Sequence, residues 1–93
     1  MSERFSLGQL VFSKCGRDKN RPFVVISIEE EYVHLIDGDL RKVESPKLKK
    51  KKHIQPTNTT LQGIQQKIIE GSHLSDSDIR KEIDEYLNKT SIK

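Results

Sequence analysis

Two groups of cations dominate the chemistry that this sequence can support. Lys14, Arg17, Lys19 and Arg21 crowd one short stretch, and Lys47, Lys49, Lys50, Lys51 and Lys52 form a run with no acid inside it. Ammonium and guanidinium groups at this density suit a polyanion, because each phosphate they neutralise releases condensed counterion. Arginine adds planar, bidentate contacts to phosphate oxygens. With Arg41, Lys42 and His53, these residues make up the candidate phosphate-contacting set. For the lysine run alone, a solvated loop is an equally good reading; the second basic cluster argues for a binding role. Phe12 and Tyr32 are candidates to stack on an unpaired base, with core packing the stronger expectation for both.

Catalytic constellations are not legible. The sequence has no phosphate-cradling glycine loop and no paired-cysteine metal spacing. His34, His53 and His73 are spread along the chain, and nothing places one beside Cys15. Lys14 and Arg17 would favour a Cys15 thiolate, but a small residue at the edge of a turn is the stronger reading. Glu29, Glu30 and Glu31 read as a solvated turn rather than a metal site. The expectation is a non-catalytic protein with no cofactor and no metal.

The bulk numbers agree. A chain of 93 residues, 32% hydrophobic and 33% charged, is one small domain with a modest core. Net charge is +3, unevenly placed. Residues 1–56 carry 12 Lys+Arg against 8 Asp+Glu, a net +4, and residues 57–93 carry 5 against 6, a net −1. A basic front half and a near-neutral tail fit a polyanion-binding module with a structural appendage. A lone cysteine excludes an internal disulfide. No apolar run approaches the ~20 residues of a membrane span, and the first residues lack a hydrophobic signal core. A cytoplasmic location is expected.

The elements that must hold the cations follow from periodicity. Gln9–Lys14 and the β-branched run Pro22–Ile28 predict strands joined by a polar turn at Cys15–Arg21. Tyr32–Ile36 predicts a third strand, closed by the tight turn Asp37-Gly38-Asp39. Leu40–Val43 predicts a short fourth strand, Lys47–Lys52 an extended and mobile basic loop, and His53-Ile54 a last short strand. Gln55-Pro56-Thr57-Asn58 reads as the turn that divides the chain. Beyond it, Leu61, Ile64, Ile68 and Ile69 predict a helix stopped at Gly71. Ser75 is the expected cap of a second helix, with Asp78 three residues on and Leu74 placed to staple onto Ile79. Ile79, Ile83, Tyr86 and Leu87 form its buried stripe. The first two strands are apolar on both faces, so both faces must be covered. One is expected to fill a small barrel and the other to dock the helices.

Gly16 and Asn20 suit positive φ in the turn, which would hold Arg17, Lys19 and Arg21 outward. This stretch resembles the KOW motif, the strand-turn-strand of ribosomal proteins and transcription elongation factors. The match runs from Leu7 to Ile28: Gly8, Val11, then Gly16-Arg17-Asp18-Lys19-Asn20-Arg21, then Phe23-Val24-Val25-Ile26. Asn20 stands where the motif usually has glycine, and Pro22-Phe23 replace its usual small residues. Val33-His34-Leu35-Ile36-Asp37-Gly38 and Lys52-His53-Ile54 are similar to the continuation in the KOW-containing ribosomal protein fourteen-e. Gln55-Pro56-Thr57-Asn58 and the helical tail are similar to the short bacterial KOW-domain RNA-binding proteins.

The resemblance implies a mainly β chain: an SH3-like barrel over residues 1–56, then a helical hairpin over 57–93 packed on it. It also implies binding to structured RNA, often ribosomal RNA, with ribosomal proteins as possible neighbours. The expected function is therefore non-catalytic RNA binding tied to the ribosome or translation. The alternative is a protein–protein interaction module of the transcription or translation machinery.

Overall fold

The computed structural model describes residues 4–91, with side chains through residue 89; the ends of the expected domains, 1–3 and 92–93, lie outside the described residues. Strands β1 (Gln9–Ser13), β2 (Pro22–Ile28), β3 (Tyr32–Ile36), β4 (Lys47–Lys50) and β5 (Ile54–Thr60) form one antiparallel sheet in the order β4-β3-β2-β1-β5. Helices α1 (Gln62–Glu70) and α2 (Asp76–Ser91) follow. The sheet is open, with β4 and β5 as its edges.

The path from β4 to β5 dictates the shape of the sheet. A flat five-stranded sheet would hold its edges about 19 Å apart. Here a single 3-10 turn, Lys51–His53, connects them, and three residues of such a turn rise only about 6 Å. The sheet must therefore coil until its two edges approach at that end.

Coiling gives the sheet an inner and an outer face, and β1 and β2 are apolar on both. Val11, Phe23, Val25, Val33, Leu35 and Ile54 join Phe5 in the inner cluster. Leu10, Val24 and Ile36 meet Ile64, Ile79 and Ile83 in the outer cluster, beneath the helices. This is the arrangement that the double-sided apolar pattern predicts. Leu74, Tyr86 and Leu87 pack at its margin. Each helix also meets a glycine of positive φ. A Cβ on Gly8 would stand 2.7 Å from Gln65 Cβ in α1, and one on Gly38 would strike the Asp76 carbonyl in α2. Bare backbone at both positions is what lets the helices sit this close.

Five expectations fail. His53 belongs to the 3-10 turn, and the last strand is the seven-residue β5 rather than a short His53-Ile54 pair. Ile69 is exposed instead of sharing the buried face of α1. The other three concern whole segments. Leu40–Val43 is not a strand. Asp37 Oδ1 accepts from the Asp39 and Arg41 N–H groups at 2.9 and 2.8 Å, and the Val43 N–H donates to Asp76 Oδ1 at 2.8 Å. These bonds fold the segment back on itself and tie it to α2. Lys47–Lys52 is not a mobile loop, because its first four residues pair with β3; an edge strand tolerates lysines, whose charges also deter further strand pairing. Gln55-Pro56-Thr57-Asn58 is not a turn. It lies inside β5, where Pro56 is acceptable because one side of an edge strand needs no donor. The change from strand to helix falls at Leu61.

Candidate nucleic-acid interface

The β1–β2 connection is a tightly bonded turn. Asn20 N–H donates to the Ser13 carbonyl at 2.8 Å, Ser13 N–H to Arg21 at 3.1 Å and Arg21 N–H to Asp18 at 2.9 Å. Gly16 and Asn20 take φ of 83° and 71°. The turn leaves Lys14, Arg17 and Lys19 exposed.

The lysine strand reaches this turn across the inner face. Lys47 and Lys49 stand opposite Leu35 and Val33, both fully buried in the inner cluster. Cross-strand partners share a face, so the two aliphatic stems lie along the rim of that cluster with their ammonium heads at its edge. Lys49 Nζ donates to the Cys15 carbonyl at 2.9 Å, an oxygen that also accepts from the Ser13 hydroxyl at 3.0 Å. Lys47 Nζ lies 3.8 Å from Asp18 Oδ2. From the 3-10 turn, the His53 carbonyl accepts the Lys14 N–H at 2.8 Å, which sets His53 beside the same hairpin. Lys14, Arg17, Lys19, Lys47, Lys49 and His53 thus gather at one end of the sheet.

The other candidates do not join them. Arg21 is not held outward: its Nη2 donates to Asp37 Oδ2 at 3.3 Å, and its Nε is buried without a partner. Arg41 is half-buried beside the same aspartate, whose carboxylate holds its backbone N–H, and its own Nε is also buried and unpaired. Lys42 lies exposed one residue further along that loop. Lys50 stands opposite Tyr32, on the face away from Lys47 and Lys49. With Lys51 and Lys52 it borders a depression shared with Glu30 and Glu31, so part of the lysine run faces carboxylates. Which lysine faces the turn is set by strand alternation, a signal invisible while the run is read as a loop.

A shallow groove beside the turn involves two side chains absent from the candidate phosphate-contacting set. Asn20 and Gln55 line it together with Phe12, Ser13, Lys14 and Lys19. The one available signal was the spacing of Phe12 and Lys14, which places both on one face of the expected strand.

Of the remaining reactive residues, His34 Nε2 pairs with Glu29 Oε2 at 2.6 Å on the exposed surface, and Cys15 is a free, half-exposed thiol. Among the described residues, no group of three or more His, Cys, Asp or Glu side chains is arranged to hold a metal ion. No described helix is long and apolar enough to cross a membrane. The chain matches no protein-family model and no curated protein sequence.

Proposed function

We propose that this protein is a non-catalytic RNA-binding protein of the ribosome or translation apparatus, using its basic hairpin and lysine strand to grip structured RNA in the manner of KOW proteins. The observation that carries the proposal is the Lys49–Cys15 contact at 2.9 Å. It joins the two basic segments into one cationic end, where a phosphate backbone meets both at once. Recognition there is by shape and phosphate position more than by base sequence. In this reading the coiled sheet is an open SH3-like barrel: the single 3-10 turn between β4 and β5, and the pairing of β5 with β1, support it. A reducing, cytoplasmic setting fits the lone Cys15.

The test is binding to a structured RNA across low to physiological salt. With about five phosphates engaged, the log-log salt slope is roughly −3.5 to −4.5. Combined alanine substitution of Lys14, Arg17 and Lys19 flattens that slope and weakens binding. Wild-type affinity indifferent to salt would reject the proposal.

The open edge of β5, which carries no lysine, favours a second reading, a module that binds proteins through an added strand. Partners that survive ribonuclease treatment of a pull-down would favour it.

A further inference from the structure

We infer that the groove beside the β1–β2 turn binds a single unpaired nucleotide, with Phe12 as the platform for its base. The inference rests on the RNA-binding reading and adds which part of the RNA the protein reads.

Phe12 lies near the end of β1, paired with Pro22 on one side and Gln55 on the other. It is half-buried. Part of the side chain packs on the outer cluster, and it also lines the groove with Ser13, Lys14, Lys19, Asn20 and Gln55. Phe12 presents one face of β1 to the groove, and Lys14, one residue past the strand's end, lines it too. Gln55, directly opposite Phe12, stands on that same face.

The six lining residues supply what one nucleotide requires. Phe12 offers a flat apolar surface for a base, and stacking of this kind tolerates any base because each has a π face. Lys14 and Lys19 are exposed ammonium groups, available to the flanking phosphates. The carboxamides of Asn20 and Gln55 each bring donors and an acceptor for a base edge. Every lining residue is neutral or cationic, so a phosphate approaches without repulsion. The cavity against α2 fails this requirement: it sets Asp37, Asp39 and Asp84 beside Arg21 and Arg80. The depression beside Lys50, Lys51 and Lys52 fails it too, since Glu30 and Glu31 form its other wall.

The experiment uses the full chain and two RNA hairpins, one fully paired and one carrying a single bulged 2-aminopurine. Wild type is expected to bind the bulged hairpin roughly tenfold more tightly, with quenching of the 2-aminopurine emission as the base stacks. Phe12→Leu keeps apolar packing but removes the ring. It should bring the bulged hairpin down to the affinity of the paired one while salt-dependent binding to both persists. Phe12→Tyr, which keeps the ring, should restore the preference. Gln55→Ala, at an exposed position, should weaken only the bulged complex and does not depend on core packing. Equal wild-type binding to the two hairpins, or a preference that survives Phe12→Leu, overturns the inference and leaves the RNA-binding reading standing. Failure of wild type to bind either hairpin overturns both.

Discussion

Replacing Lys49 by Met tests whether the two basic segments are physically joined. Methionine keeps an unbranched apolar stem along the rim of the inner cluster and removes only the ammonium group. The loss is one charge-assisted hydrogen bond to the Cys15 carbonyl, 2.9 Å long. Bonds to charged groups contribute about 1.5–3 kcal/mol when the partner is otherwise stranded. Here the Cys15 oxygen keeps the Ser13 hydroxyl at 3.0 Å, and the site lies near solvent. The expected cost is therefore about 1 kcal/mol, which lowers the melting temperature by roughly 4–8 °C for a domain this small. Lys50→Met is the matched control, since Lys50 points to the opposite face beside Tyr32; its effect should stay within about 0.5 kcal/mol. Thermal unfolding of wild type and both variants reads the stability. RNA titrations between 50 and 200 mM salt read the interface, where Lys49→Met should reduce the magnitude of the log-log slope by about 0.7–0.9. A Lys49→Met protein that melts with wild type, or a Lys50→Met protein equally destabilised, would refute the placement of the lysine strand against the turn.

Two further substitutions probe the frame that holds this end in place. Asp37→Ala strands the Asp39 and Arg41 N–H groups and the Arg21 guanidinium, three donors to one buried carboxylate. Urea denaturation should show a loss of about 3 kcal/mol, and a change under 1 kcal/mol would mean that solvent replaces the carboxylate freely. Gly8→Ala combines a φ of 80° with a Cβ placed 2.7 Å from Gln65 Cβ. It should cost about 2 kcal/mol or more, read as a lower urea midpoint, and an unchanged midpoint would show that α1 does not pack against Gly8.

Much of the architecture follows from local pattern. The β-branched runs at Pro22–Ile28 and Tyr32–Ile36 form strands with the expected bounds. The spacing of Leu61, Ile64 and Ile68 and the position of Gly71 mark α1, although Ile69, expected on the same face, is exposed. Ser75 caps α2 weakly, its hydroxyl accepting the Asp78 N–H at 3.4 Å. The apolar residues on both faces of β1 and β2 already required a second layer, since exposed Leu10 and Val24 would each forfeit about 1.5–3 kcal/mol of burial.

Only the tertiary structure decided what became of the charges and of the polar segments. Lys47–Lys50 has poor strand propensity, yet it pairs because β3 presents a free edge for it to join. Pro56 reads locally as a turn residue, yet it is strand because it lies across from Val11. Lys19 and Arg21 are indistinguishable two residues apart in sequence, but one is exposed and the other binds Asp37, sixteen residues away. Periodicity reports how each residue sits relative to apolar surface, which is a local property. Whether a cation meets a carboxylate, a carbonyl or solvent depends on which distant strand lies beside it, and that is fixed when the sheet coils.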